Sequence, residues 1–260
     1  MTATAAWLPC PHAAEYPFDA RRTRREWPRL HALDAEPLPA DPGALQAWAL
    51  LHGGQFEAAE FSGLAGGPSG VAAANCAAAA YATLIEPSET ARIELYRRIH
   101  ARARAVALGH PGQASGWYWL GYALARHAQG IHVARALAQG LGAQIREALE
   151  TALRLAPAHA LAHLSLGSFY AETIDKVGPL VAAMTYGAQA DVALDHLHQA
   201  RRLAPDSAAV LMDSAAALLM LDGQAHLAEA TRLEEQAARV APRDAVERLW
   251  VELARASLEL

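Results

Sequence analysis

Four segments that end in proline divide the chain beyond residue 106 at nearly regular intervals. They read Ala-Leu-Gly-His-Pro111, Arg-Leu-Ala-Pro157, Arg-Leu-Ala-Pro205 and Arg-Val-Ala-Pro242. Each follows a stretch in which apolar residues recur every three or four positions, which is the spacing of one helix face, and proline cannot continue a helix. The prolines lie 46, 48 and 37 residues apart, in or near the period range of helical repeat arrays. The sequence therefore predicts an all-α fold built from antiparallel helix pairs.

The composition is typical of packed helices in a reducing compartment. Hydrophobic residues make up 53% of the 260 residues and charged residues 19%, a balance that disfavours disorder. Two cysteines, Cys10 and Cys76, cannot by themselves form a disulfide framework or a zinc site. Residues 1–9 lack the basic start of a signal peptide, and no apolar window of about eighteen residues is free of charges and helix breakers. We therefore expect a cytoplasmic protein without a membrane span. Arginine outnumbers lysine 21 to 1, which suggests a bacterial, high-GC genome.

The first 41 residues differ from the rest because they are rich in proline. Such a segment buries little surface, and we expect residues 1–41 to form a poorly packed arm ahead of a single repeat domain over 42–260. The arm carries the cluster Arg21, Arg22, Arg24 and Arg25. Five arginines face six acidic residues within it, so it lacks the basic excess that phosphate binding needs. The sequence therefore predicts no nucleic-acid partner.

Three units between residues 111 and 242 resemble tetratricopeptide repeats (TPRs), whose first helix carries a large residue, then Leu-Gly, then another large residue. The matching stretches are Trp117-x-x-Leu120-Gly121-x-x-Leu124, His163-x-x-Leu166-Gly167-x-x-Tyr170 and Leu211-x-x-Ser214-Ala215-x-x-Leu218. The small residues let two helices approach closely, and each helix pair must stack on its neighbours to bury its apolar faces. The resemblance implies a right-handed TPR-like α-solenoid.

Two inserts distinguish this chain from plain TPR proteins. A standard unit has 34 residues, so the first two units carry about 12 and 14 extra residues between their helices. These inserts, 130–142 and 175–187, are apolar and include Ile131 and Tyr186. Paired units with such inserts resemble the regulator of microtubule dynamics family and the helical T component of tripartite (TRAP) transporters. We take from these two resemblances an architecture and no role.

The concave face of a TPR array is lined by first-helix positions beside the packing ones, which makes them candidate binding residues. The candidate groove residues are Tyr118, Tyr122, Arg126, Leu161, Leu164, Ser168, Met212 and Leu219, and the candidate insert residues are Asp175, Lys176 and Tyr186. This groove is largely apolar, and it lacks the Lys and Asn array that carboxylate-clamp TPR proteins use on peptide termini. Because exposed apolar patches of that size are rare on monomers, either a ligand or the inserts should cover it.

Two functions remain open from the sequence. The first is a non-enzymatic scaffold or adaptor whose apolar groove receives a protein or peptide partner. The alternative is a carrier of a small hydrophobic molecule, in which the inserts 130–142 and 175–187 roof the groove into a pocket. A closed pocket favours the carrier, and an open groove favours the adaptor.

Catalytic and metal-binding patterns are weak in this sequence. His159 and His163 have helical i, i+4 spacing but no third ligand, and Lys176, the only lysine, has no accompanying base or phosphate cradle. We therefore expect no enzyme activity, no metal and no cofactor. Residues 89–146 carry a net charge of +6 and residues 147–260 one of −7, which allows head-to-tail self-association.

Overall fold

The computed structural model describes residues 6–130 and 133–259 and is helical in all its regular structure there. The helices are α1 (Ala20–Leu30), α2 (Pro42–His52), α3 (Phe56–Ala65), α4 (Val71–Leu84), α5 (Glu89–Gly109), α6 (Ala114–Gln129), α7 (Val133–Ala138), α8 (Leu141–Leu155), α9 (Ala160–Val177), α10 (Pro179–Tyr186), α11 (Ala190–Leu203), α12 (Ala208–Arg239) and α13 (Ala245–Leu258). Short 3-10 turns cover Ala13–Glu15 and Gly67–Ser69. The prediction of an all-α fold is confirmed.

The helices form successive antiparallel pairs: α2 with α3, α4 with α5, α6 with α8, and α9 with α11. A fifth pair lies within α12, which bends at Asp222 (φ −161°, ψ 99°). The first helices of neighbouring pairs contact one another, α2 with α4, α4 with α6, and α6 with α9. These first helices therefore share one side of the array, where the sequence predicts the concave face.

The glycines of the Leu-Gly motifs lie where two helices of one pair approach most closely. A Cβ atom at Gly121 would lie 2.7 Å from Leu149 Cγ of α8, and one at Gly167 would lie 2.9 Å from Leu197 Cγ of α11. Both leucines are fully buried, so neither can move aside freely. Glycine at these positions thus sets the distance between the paired helices.

Each insert contributes a short helix between the two helices of a pair: α7 in the first and α10 in the second. Ile131 lies outside the described residues. The ring of Tyr186 covers Gly142, where an added Cβ would lie 2.1 Å from the ring, and Arg146 donates a hydrogen bond to the Tyr186 carbonyl (3.1 Å). The described parts of the inserts therefore pack on each other and on α8 and α9.

The expectation of a poorly packed N-terminal arm is wrong for the residues that the structure describes. Trp27 and Leu30 of α1 are 6% and 5% exposed, and the Trp27 indole donates to the Glu36 carbonyl (2.9 Å). Farther along, the Leu33 carbonyl accepts from the Leu161 amide at the start of α9 (3.1 Å). Prolines in this segment end or bend helices. Its apolar side chains nevertheless recur every three residues, so they lie on one face that packs against the helical array.

The last helix returns to the beginning of the chain. Helix α13 packs on α12 and also contacts α2 and α4. Asp244, which caps the start of α13, accepts a hydrogen bond from His52 at the end of α2 (2.6 Å), and Arg243 donates to the Arg29 carbonyl (3.3 Å). The N-terminal segment and α13 thus meet across the concave side of the array.

One described helix, α12, is long and apolar enough by length and composition to cross a membrane. It is bent at Asp222 and packs against α9, α11 and α13.

Replacing Gly167 with alanine tests the close approach of α9 and α11. We expect Gly167→Ala to lower the free energy of unfolding by about 1–2 kcal/mol, because overpacking costs about 1–3 kcal/mol and improved helix propensity returns up to about 1. Gly109→Ala is the control, since a Cβ there meets no atom within 4 Å. Urea denaturation of both variants measures the difference, and equal stabilities would contradict the packing argument.

Truncation of Trp27 tests whether the N-terminal segment belongs to the folded core. Trp27→Ala should cost about 3–5 kcal/mol, the usual loss for a buried aromatic side chain. Arg25→Ala on the same helix should cost less than about 0.5 kcal/mol, since that side chain is 68% exposed. A Trp27→Ala protein as stable as the wild type would show that the segment is not packed in solution.

Candidate functional site

The concave side forms a central cavity of about 150 Å³ that is open to solvent over part of its surface. Its walls come from the first helices α2, α4, α6, α9 and α12, and its partial cover comes from Leu30, His31, Leu33 and Asp34 on one side and from α13 on the other. None of the lining residues belongs to the described inserts. The predicted concave face is therefore partly covered, but by residues 30–34 and α13 and not by the inserts.

The structure brings together most of the predicted groove residues. Five of them line the central cavity: Tyr118, Tyr122, Arg126, Leu161 and Leu164. Ser168 lines an adjoining outer pocket of about 110 Å³, whose walls also include Tyr122, Arg126, Leu164, Ser165 and Asp213. Met212 and Leu219 line neither space, and Leu219 is 37% exposed.

The predicted insert residues lie apart from the central cavity. Lys176 and Tyr186 line a separate insert pocket of about 60 Å³ with Leu141, Ile145 and Phe169. Lys176 forms an ion pair with Glu172 one turn earlier (2.5 Å), whereas Asp175 is exposed. The prediction that the inserts roof the groove is thus wrong for the described residues, because Tyr186 fills the space beside Gly142 instead.

Aromatic rings form much of the cavity wall. Tyr118, Trp119 and Tyr122 lie on one face of α6, with the Trp119 and Tyr122 rings 5.4 Å apart and edge to face. Trp48 and Trp250 line the cavity from α2 and α13. The Tyr122 hydroxyl lies 3.3 Å from Thr83 Oγ1. Such rings provide a large apolar surface with few polar atoms.

Four polar side chains that line the cavity form one connected cluster between the N-terminal segment and the start of α13. His31 Nδ1 contacts both carboxylate oxygens of Asp34 at 3.0 Å, and His52 Nδ1 contacts Asp244 at 2.6 Å. The two Nε2 atoms face each other at 3.3 Å. Both rings are almost fully buried, so this cluster must satisfy its own hydrogen bonds.

The histidines of this cluster stabilise the ionised form of its two carboxylates. Burial alone would raise the pKa values of Asp34 and Asp244, but the charge and hydrogen bond of the adjacent histidine lower both below their ordinary values. Ionised carboxylates only accept hydrogen bonds, so the Nδ1 atom of each histidine is the donor.

The carboxyl group of Glu36 lies close enough to this cluster to be affected by the charge of Asp34. Burial, with a smaller contribution from the negative charge of Asp34, raises the pKa of Glu36 to about 8. The carboxyl group is therefore mostly protonated at neutral pH. By contrast, Glu247 is matched by Arg243 through a two-point contact (2.5 and 2.7 Å).

Arg126 and Asp213 face each other across the border between the central cavity and the outer pocket, and both residues line both spaces. Arg126 Nη2 lies 3.7 Å from Asp213 Oδ2, which is longer than a hydrogen bond. The Arg126 guanidinium lies 5.2 Å from the centre of the Tyr122 ring. Burial raises the pKa of Asp213, and Arg126 opposes that effect.

The other candidate ligands serve local structure. His159 Nδ1 accepts a hydrogen bond from the Ala162 amide (3.1 Å) and so caps α9, and burial lowers the pKa of His159 to about 4. His163 faces His196 instead of His159 (Nδ1 to Nδ1 2.9 Å). Over residues 6–130 and 133–259, no three His, Cys, Asp or Glu side chains converge in a metal-binding group.

Charge pairing reduces the contrast between the basic and acidic halves of the sequence. Arg98 and Arg102 of the basic half both contact Glu60 on α3 (2.5 and 2.6 Å), which lies outside the segment counted as basic. Head-to-tail self-association through the two halves stays a prediction.

The cavity residues outside α6, α9 and α12 were not among the predicted site residues. His31 and Asp34 have helical i, i+3 spacing, and Trp27, Leu30 and Leu33 form an apolar series, so a signal for a buried segment was present. His52 and Asp244 lie 192 positions apart in the sequence, so no local sequence pattern predicts their contact. These residues complete the cavity.

Comparisons with known proteins support the fold. No protein-family model and no curated protein matches the chain. Among solved structures, a thermophilic TPR protein of Thermus thermophilus is similar, with a TM-score of 0.55 and 20% sequence identity over 82% of this chain and 95% of that one. The chain therefore has a TPR-like all-α repeat fold.

Glu36 gives a test of the buried charges through the pH dependence of stability. Its folded pKa of about 8 lies above the unfolded value, so the folded state binds the extra proton and stability falls as the pH rises from about 4.5 to 8. Glu36→Gln should reduce that loss by about 4 kcal/mol between pH 5 and pH 9, since about three pH units separate pH 5 from the folded pKa and each is worth about 1.4 kcal/mol. Urea denaturation at both pH values measures it, with exposed Glu147→Gln as the control. Equal pH dependence in Glu36→Gln and wild type would contradict the burial of Glu36.

Proposed function

We propose that the protein binds a small, largely apolar molecule in the central cavity. The observation that carries this proposal is the cover: residues 30–34 and α13 lie over the concave face and leave a cavity of about 150 Å³. An open TPR groove could receive an extended peptide, but a partly covered one favours a compact ligand. Of the two functions that the sequence left open, the carrier is thus the better supported.

The size and chemistry of the cavity suit such a ligand. A buried apolar cavity of about 150 Å³ is large enough for a benzene-sized group. Small-molecule sites are typically lined by aromatic and aliphatic side chains with a few polar groups that fix orientation. Here Trp48, Trp119 and Tyr118 provide the first kind of surface, and Arg126 and Asp213 provide the second.

Binding without catalysis is part of the proposal. Cys76 lines the cavity, but burial raises the pKa of its thiol well above the ordinary value, and the thiol, unlike the thiolate, is a poor nucleophile. His31 and His52 bond to each other and to carboxylates. The thiol of Cys76 is thus protonated, and the imidazoles of His31 and His52 are held in hydrogen bonds, so none of them is poised for catalysis. No cofactor is required by this function.

An adaptor function is the second candidate, and the surface of α10 favours it. Leu180, Val181 and Met184 are 73%, 48% and 81% exposed, which is unusual for large apolar side chains on one short helix. A protein or peptide partner could cover this face without entering the central cavity. A cytoplasmic setting for either function remains a prediction from the sequence.

A cavity-filling substitution tests the leading proposal. Ala80 of α4 lines the cavity, and Ala80→Leu places three extra carbon atoms in it. Native mass spectrometry of the purified wild type at low and moderate salt should show an added mass below a few hundred daltons, and Ala80→Leu should lose it. Ala101→Leu, at an exposed position of α5, should retain it.

Ligand titration complements the mass measurement. Trp48, Trp119 and Trp250 line the cavity, so toluene should change the tryptophan fluorescence of the wild type and of Ala101→Leu but not of Ala80→Leu. If the wild type carries no added mass and its fluorescence does not change with toluene, the carrier function is overturned and the adaptor function remains.

A further inference from the structure

We infer that the ligand of the central cavity is an amino-acid-like zwitterion, with its carboxylate on Arg126, its ammonium group on Asp213 and a compact apolar side chain in the cavity. This inference rests on the proposed function and adds the chemical class of the ligand. It starts from the ion pair of α6 and α12.

The Arg126–Asp213 pair is open, unlike the other cross-helix ion pairs of the protein. Arg98 and Glu60 approach to 2.5 Å and Arg201 and Glu229 to 2.6 Å, whereas Arg126 and Asp213 stay at 3.7 Å without a hydrogen bond. Among the described residues, no group donates a hydrogen bond to the Asp213 carboxylate within bonding distance. Each charge therefore retains hydrogen-bonding capacity for a ligand.

The position of the pair fits the head group of a ligand. Arg126 and Asp213 lie where the central cavity meets the outer pocket, so a head group held there can extend its side chain inward. Tyr122 supports the guanidinium through its ring face. Ser165 lines both spaces, and the buried hydroxyl of Ser168 in the outer pocket has no partner among the described residues.

Charge balance selects a zwitterion over a simple ion. A ligand with only a carboxylate would engage Arg126 but leave Asp213 beside a second negative charge. A ligand with only an amine would engage Asp213 but leave Arg126 beside a second positive charge. Partly buried charges without partners are costly. A molecule with both groups on one carbon atom, as in an α-amino acid, satisfies both side chains, and an arginine–carboxylate contact can be bidentate.

The volume of the central cavity limits the side chain. About 150 Å³ admits a phenyl ring or a branched aliphatic group. L-Phenylalanine and L-leucine are therefore the probes of choice.

Calorimetric titration of the full-length protein with matched probes tests the inference. The series is L-phenylalanine, 3-phenylpropionate without the ammonium group, phenethylamine without the carboxylate, and toluene without either, with L-leucine as the aliphatic counterpart. We expect L-phenylalanine or L-leucine to bind at least tenfold more tightly than any probe that lacks one charge.

Variants of the pair separate the inference from the underlying function. Arg126→Gln and Asp213→Asn should each weaken amino-acid binding at least tenfold and leave toluene binding unchanged. The exposed pair of Arg239 and Glu235 (3.4 Å) supplies the control Arg239→Gln, which should bind every probe like the wild type.

The outcomes are distinguishable. If toluene binds and neither amino acid binds more tightly than its singly charged analogues, the zwitterion inference is overturned while the cavity function stands. If no probe binds, both are overturned. Loss of toluene binding in Arg126→Gln would mean that the pair only holds α6 and α12 together, which also overturns the inference.

Discussion

The cavity depends on one buried carboxylate. Asp244 caps α13 through the Glu247 amide and accepts a hydrogen bond from His52 at the end of α2. An ionised aspartate this deeply buried is stable only with such partners. The same side chain therefore fixes the start of the last helix and ties that helix to the first pair. This tie joins the α13 side of the cover to the end of α2.

Local signals predicted the repeat architecture, and long-range contacts escaped prediction. The prolines at 157 and 205 mark helix ends, and Gly121 and Gly167 mark close helix approach, because both depend on residues within one pair. The groove positions on α6 and α9 follow from the same pairing. The cover does not, because it joins residues far apart in sequence. Proline content misled the interpretation of residues 1–41, since it reports where helices break and not which side chains are buried.

Buried charge is distributed unequally over the cavity. At the covered end, carboxylates bond to histidines and to Arg243 at 2.5–3.0 Å. At the border of the outer pocket, Arg126 and Asp213 remain apart. The first arrangement holds the structure together, and the second retains unused bonding capacity. This contrast separates residues that build the site from residues that a ligand could engage.

The position of the cover also determines when the site can exist. His31 and His52 leave the ribosome long before α13, which supplies Asp244 and Trp250. During synthesis the concave face is therefore built in order from the first pair, yet the cavity is completed only when α13 docks. A chain cut short before residue 244 would lack part of the wall, so ligand retention by this protein would report that translation had passed α13.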